Sequence, residues 1–523
     1  MRRYAALCAV LLVLFAPLAV AQNRSTPADL RGLDQFVEEV MKEWHVPGLA
    51  LGVIRDGNTV LVKGYGFRDV EQRLPVTPRT LMAIGSNSKS FTVVLMGMLV
   101  DSGKLSWDRP VRTYLPDFQL KDPFATQEMT PRDLVTHRSG LPRHDALWYG
   151  RSFGREELYR RLQFLEPSAS FRSRWQYQNL MFLTAGYLVE RITGRSWDDL
   201  IRERIFVPLE MRRSNTSVRN LDPESDDAAV AYVWRECPES RAASSGYPQN
   251  SAQCGLVRVP YRNIDAVGPA GSINSSVEEM LHYIQFHIDS GAYGGRQLLS
   301  KQNAREMQTP QMLVGSQEIW PDELGMATYG LGLSVTAYRG RKLVQHGGGI
   351  DGFISQMSWM PKERIGVMVL TNQSGNNPVP NIVTRRVFDL LLGLDPIDWV
   401  ARVKEQERQA RERREQQRKE REAQRKPGTR PSHPLESYVG EYEHPGYGKL
   451  AVRAEGQSLL LVLDDFQAPL KHYHYDVFEI DDPLNLVPLS GLVTFLMDKK
   501  GEIDRVAVPL EPAVSDIVFN RVK

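Results

Sequence analysis

Apolar positions along this chain follow two periods, one near 3.6 residues and one near 2, and the period changes in blocks. Residues 27–44 place Leu30, Leu33, Phe36, Val37, Val40 and Met41 on one helical face. Two apolar runs follow at 48–54 and 59–65, joined by Arg55-Asp56-Gly57-Asn58. Asp-Gly between two such runs predicts a β-hairpin, because glycine supplies the positive φ that a tight turn needs. From Phe91 to Val100 the chain is apolar on nearly every side and stops at Ser102-Gly103, which predicts a buried helix. Residues 105–340 alternate helical patches with long polar loops. Runs at 330–336, 342–346, 353–360 and 365–370 then read as strands, and 381–392 as a closing helix.

Two early strands and three or four late ones assemble most economically as one antiparallel sheet, built from both ends of a domain and covered by helices. Such a sheet brings residue 346 close to residue 86. The expected fold class is therefore α/β of the α+β kind, an antiparallel sheet flanked by helices with a helix-rich subdomain, over residues 22–396.

Residues 397–432 are a charged helical linker. Positions 402–426 hold 11 basic and 6 acidic residues with almost no apolar face, and Glu407/Arg411, Glu415/Lys419 and Glu422/Lys426 are spaced i,i+4. The pattern predicts a solvated spacer helix, ended by Pro427-Gly428 and Pro431. A basic surface for an anionic membrane or wall polymer is the lesser reading.

Residues 433–523 form a separate small β domain. Short β-branched and aromatic runs recur at 450–452, 459–463, 473–480, 492–497, 503–508 and 517–519, which predicts a small antiparallel barrel. His472 and His474 would share a strand face, but no further ligands stand at useful spacing. They read as surface histidines, and neither a metal nor a cofactor is expected.

Composition then bounds the setting. Residues 1–21 combine Arg2-Arg3, an apolar run from Tyr4 to Leu18 and a small-x-small Ala19-Val20-Ala21. This predicts a cleaved secretory signal and a periplasmic or secreted protein without a stable membrane span. The chain has 65 basic and 63 acidic residues, and removal of Arg2 and Arg3 leaves 63 of each, a balance that gives nucleic acid no electrostatic footprint. Cys237 and Cys254 either form a local loop disulfide or stand as separate thiols.

The chemistry starts at Gly85-Ser86-Asn87-Ser88-Lys89, where a hydroxyl and an amine lie three residues apart at a helix start. Positions i and i+3 share a helical face, so Lys89 can reach Ser86. By that spacing alone, a solvated surface pair is the commoner outcome. A nucleophile also needs a proton donor for the leaving atom and an oxyanion site. Tyr177-Gln178-Asn179, before an apolar helix, offers a phenol whose pKa a neighbouring lysine would lower, and an amide to orient substrate. A core tyrosine with a capping asparagine is the structural alternative. The rival Tyr261-Arg262-Asn263 has no comparable helix after it. His346-Gly347-Gly348-Gly349 ends a strand with glycines that let a substrate approach the backbone, whereas His444-Pro445-Gly446 is a turn in the distal domain.

Ser-x-x-Lys at 86–89, Tyr-x-Asn at 177–179 and His-x-Gly at 346–348, in that order, resemble the serine β-lactamase and penicillin-binding superfamily. The similarity is greatest to the branch holding class C β-lactamases, D-Ala-D-Ala carboxypeptidases, D-aminopeptidases and related esterases. Residues 130–142 and Pro269-Ala270-Gly271-Ser272-Ile273-Asn274 look familiar too, and the C-terminal part resembles a lipocalin-like domain. The resemblance implies acyl transfer. Ser86 would attack a carbonyl, Lys89 would hold or accept its proton, and Tyr177 would relay protons. Asn179, His346 and Gly348 would contact substrate, and the backbone N–H groups of Ser86 and Gly349 would bind the oxyanion.

Where many β-lactamases carry Lys-Thr-Gly, this chain has His346-Gly347-Gly348, a weaker and pH-dependent carboxylate anchor. The expectation is thus a secreted serine hydrolase acting on a D-amino-acid or peptidoglycan-type peptide, with small molecules or peptides as substrates. A carboxylesterase of the same family and a β-lactamase are the alternatives. A non-catalytic muropeptide or β-lactam sensor is the reading from another class.

Overall fold

The hairpin predicted at Asp56-Gly57 forms, with β1 (Gly48–Arg55) and β2 (Asn58–Asp69) paired antiparallel and Gly57 at φ 82°. The computed structural model describes residues 28–223, 226–235, 255–315, 320–481 and 490–522. The segment 1–21, Cys237 and Cys254 lie outside them. Along its other edge β1 pairs with Ile365–Thr371, in a register that sets Leu51 against Val369 and Val53 against Val367. The nine-stranded sheet runs Met312–Leu313, Thr328–Tyr329, Ser334–Tyr338, Arg341–Ile350, Phe353–Met360, Ile365–Thr371, β1, β2, Leu74–Pro75. It joins both ends of the domain, as the run spacing predicts.

Alternation along the central strands assigns each residue a layer. Leu49, Leu51, Val53, Val367 and Val369 face α1 (Leu33–Glu43) and the helix Val379–Leu391, packing with Leu33, Val37, Ile382 and Val387. Ala50, Ile54, Met368 and Leu370 face the opposite layer with Val277, Leu281 and Ile284. Both faces are covered, so these strands read as unbroken apolar runs. Gly52 and Gly366 let the helix Val277–Ile288 come close: a Cβ on either would lie 2.5 Å from Val277 or 2.4 Å from Ile284.

The run at 330–336 departs from its expectation, since only Ser334–Tyr338 is strand. Gly332, at φ 69°, instead turns against α2 (Ser88–Asp101), where a Cβ would stand 2.8 Å from Val93. In the core on the Ala50 face lie α2, buried from Ser88 through Gly97, and Asn179–Thr193, buried from Asn179 through Val189. These two helices carry Lys89 and Asn179, and Ser86 and Tyr177 lie just before their first turns.

The charged segment is one helix, Trp399–Gln424, with only Trp399 and Val403 buried. It is not a free spacer: Arg402 pairs with Glu323 at 2.8 Å and Lys404 with Glu43 at 2.6 Å. Glu407 accepts from the Trp44 indole at 2.9 Å and from Asn376 at 3.0 Å, tying the helix back to the first domain. Eight strands between Gly440 and Arg521 close the C-terminal barrel around Tyr438, Tyr442, Phe478, Phe495 and Phe519. Phe466–His474 is a strand that the sequence pattern hides, because Pro469 interrupts it. A bulge between His472 and His474 also breaks their shared face. The barrel packs on residues 143–161: Tyr149 stacks on Phe466 at 5.6 Å, Arg151 pairs with Asp464 at 3.0 Å, and Arg161 donates to Gly446 O at 2.8 Å. Among the described residues, no helix is long and apolar enough to cross a membrane.

Candidate active site

Ser86 sits in a 3-10 turn, Gly85–Asn87, that leads into α2. The turn runs beside the strand Arg341–Ile350. Gly85 takes φ 52°, and a Cβ there would lie 2.6 Å from the Gly349 amide nitrogen. A Cβ on Gly348 would lie 1.9 Å from Ile84 O. Both glycines are therefore needed for this approach of backbone to backbone. Asn87 Nδ2 donates to Ser355 Oγ at 2.8 Å, which ties the turn to the adjacent strand Phe353–Met360.

One helical turn on, Lys89 is fully buried. Its Nζ stands 2.9 Å from Ser86 Oγ, 2.8 Å from Asn179 Oδ1 and 2.8 Å from Ala270 O. The last two are pure acceptors and take N–H donors. Burial, and next the positive charge of Arg143, hold the Lys89 pKa well below the ordinary lysine range. A neutral amine has two N–H bonds, which the two carbonyl oxygens use, and its lone pair then faces the Ser86 hydroxyl. Desolvation thus turns an ordinary cation into a base aimed at one proton.

Tyr177 Oη lies 2.7 Å from the same Ser86 oxygen. The expectation of a lowered phenol pKa is corrected here. Desolvation raises it above the ordinary range, outweighing the hydrogen bond to Ser86 and the Arg143 charge. Tyr177 is therefore a neutral phenol that donates. Asn179 is held from within the protein: its Oδ1 accepts from Lys89 and its Nδ2 donates to Asp145 at 3.0 Å, which uses one of the two amide N–H groups. The helix cap is Gln178, whose side chain accepts from Leu180 N.

The familiar flank at 130–142 gains a physical role. His137, buried at φ 58°, accepts the Gln178 N–H at its Nδ1 (3.0 Å), while its backbone carbonyl accepts from Gln176 N. This fixes the segment carrying Tyr177. The other flank supplies Ala270 O to Lys89, and Ile273 N to Ser88 Oγ at 3.1 Å.

His346 does not meet the expectation of a pH-dependent carboxylate anchor. It is 7% exposed. Nδ1 lies 2.6 Å from Gly347 O and must donate, so Nε2 accepts from Tyr329 Oη at 3.0 Å. Burial lowers its pKa to about 3. Above that pH it is neutral with both nitrogens engaged. The rival tyrosine lies elsewhere, with Tyr261 Oη donating to Ala229 O.

Two residues escaped the sequence reading. Asp145 holds Asn179, Trp148 Nε1 (2.7 Å) and Arg143 (2.5 Å). Arg143 lies with its guanidinium carbon 4.9 Å from the Tyr177 ring centre. Only their contiguity with Leu141-Pro142, at the end of a familiar stretch, pointed at them.

A buried lysine and a phenol converging on one serine, beside a glycine-rich strand, define a serine hydrolase site of the penicillin-binding type. The family comparison agrees: residues 33–392 match the beta-lactamase family model, and the chain belongs to that family. Residues 424–521 match a domain of unknown function, DUF3471. An unguisins hydrolase of Aspergillus campestris is 29% identical over 83% of this chain and 80% of its own length. A D-aminopeptidase of Brucella suis is 28% identical over 70% of this chain and 64% of its own length. Among solved structures, the octameric penicillin-binding protein homologue of Pyrococcus abyssi superposes with a TM-score of 0.58 at 25% identity, over 93% of this chain and 99% of that one.

Proposed function

We propose that this serine hydrolase cleaves amides of D-amino-acid or peptidoglycan-type peptides through an acyl-enzyme on Ser86, outside the cytoplasm. The observation that carries the reading is the Lys89 amine, bound to two carbonyl oxygens and turned toward Ser86 Oγ. The D-aminopeptidase relative supports the substrate class, and the leader-like residues 1–21 support export.

In acylation Lys89 takes the Oγ proton as the Oγ–C bond forms. The oxyanion is held by the backbone N–H groups of Ser86 and Gly349. Tyr177 gives its proton to the leaving nitrogen as the C–N bond breaks. The phenolate so formed is stabilised by the Lys89 ammonium, whose Nζ lies 4.7 Å from the ring centre. In deacylation the phenolate takes a proton from water as the water oxygen attacks the acyl carbon. The C–Oγ bond then breaks, and Lys89 returns its proton to Oγ.

Initial rates on D- and L-alanine p-nitroanilide and on p-nitrophenyl acetate, with wild type and Ser86→Ala, test this. The reading expects D over L turnover that Ser86→Ala abolishes. Turnover of the ester alone would make the protein a carboxylesterase. Activity surviving Ser86→Ala would overturn the serine assignment.

A further inference from the structure

We infer that Arg143 is the residue that recognises a carboxylate of the substrate, in place of His346. This rests on the reading of Ser86 as the reacting centre. With His346 neutral and both of its nitrogens engaged, the glycine-rich end of the strand, residues 346–349, offers no cation to an anionic ligand. Lys89 is buried behind Ser86 with its N–H groups taken.

Arg143 differs in each respect. Its side chain is 53% exposed, and its guanidinium sits over the ring whose hydroxyl touches Ser86. It engages Asp145 through Nε alone, and among the described residues Asp145 is its one charged partner. Both Nη groups remain as donors, the fork that suits a carboxylate.

The segment that carries Arg143 is held in place rather than left to wander. Pro142 O accepts Gln178 Nε2, and the His144 N–H donates to Glu511 at 2.7 Å. His144 Nε2 lies 2.9 Å from Glu166 O, so it donates there, and Nδ1 accepts from Tyr447 Oη at 2.7 Å. Asp145 adds Asn179 and Trp148. Tyr447 and Glu511 belong to the C-terminal barrel. The barrel therefore buttresses the loop from behind while the guanidinium faces the site, which limits the entropy lost on binding.

The anion in question is a free carboxylate one ring away from the serine hydroxyl, such as the C-terminal carboxylate of a short peptide. Saturation-transfer NMR titrations of N-acetyl-D-alanine and N-acetyl-D-alaninamide onto wild type, Arg143→Gln and Arg143→Lys test this without requiring Ser86 to react. The expected result is that wild type binds the carboxylate about tenfold more tightly than the amide, the scale of one charge-assisted contact. Arg143→Gln should erase that preference and Arg143→Lys keep part of it. A wild type that does not distinguish the two ligands would overturn the inference, as would an Arg143→Gln protein that keeps the full preference. Bound N-acetyl-D-alanine should also slow fluorophosphonate labelling of Ser86 in wild type. If no label reaches Ser86 while the carboxylate preference stands, the function proposed above fails and the Arg143 site does not.

Discussion

Replacing His287 with phenylalanine should remove a measurable part of the protein's acid lability. His287 lies between the helix Val277–Ile288 and the sheet, 1% exposed and stacked on Trp359 at 4.8 Å. Neither ring nitrogen meets a hydrogen-bond partner among the described residues. Burial alone lowers its pKa from 6.5 to about 3. The folded-state value thus lies below the unfolded one, and between the two the unfolded chain binds the extra proton. Stability from this group is complete above pH 6.5 and is lost as pH falls toward 3, at about 1.36 kcal/mol per pH unit. By pH 5 the loss is about 2 kcal/mol. Phenylalanine keeps the ring contact with Trp359 and cannot be protonated. Urea unfolding of wild type and His287→Phe at pH 7.5 and pH 5, followed by near-ultraviolet circular dichroism, reads the effect. The wild type should lose about 2 kcal/mol more than the variant between the two pH values, whatever constant repacking difference separates them. Equal losses in both proteins would refute the reasoning.

Tyr177→Phe keeps the ring against His137 and Arg143 but removes the donor to the leaving atom. Turnover of the amide should fall by about a hundred- to ten-thousand-fold with an unchanged circular dichroism spectrum, and a loss below threefold would contradict the donor role. Gly348→Ala drives a Cβ to 1.9 Å from Ile84 O, so the strand must withdraw from the Ser86 turn. A cost of about 1–3 kcal/mol in urea unfolding, together with slower labelling of Ser86, is the expected outcome. Tyr447→Phe leaves His144 Nδ1 buried without its donor, at a cost of about 1–3 kcal/mol. Limited proteolysis should then release the C-terminal barrel sooner than in wild type.

The fold was largely legible because its signals are local and periodic. The apolar runs at β1 and Ile365–Thr371 announce fully covered strands, and Asp56-Gly57 announces their turn. Where the pattern misled, a tertiary contact decided the outcome. Gly332 bends under α2 instead of continuing a strand, and Pro469 sits inside a barrel strand despite lacking an N–H. The reacting residues Ser86, Lys89 and Tyr177 were legible through motif spacing and order. Their electrostatics were not. Burial sets the Lys89, Tyr177 and His346 protonation states, and burial is a property of the assembled core. For the same reason His346 read as an anchor until Tyr329 and Gly347 O were seen on its nitrogens. Arg143 and Asp145 belong to no periodic element, so only the three-dimensional contact with Tyr177 and Asn179 reveals them.

The central claim is that a desolvated Lys89 amine activates Ser86. The most direct measurement is the rate of fluorophosphonate labelling, located by peptide mass spectrometry, as a function of pH in wild type and Lys89→Met. A neutral-amine base predicts a single adduct on Ser86 and a rate that rises with pH through a midpoint well below the ordinary lysine value of 10.5. It also predicts labelling at least about a hundredfold slower in Lys89→Met. An adduct on another residue, or a Lys89→Met protein that labels at the wild-type rate, would contradict the account.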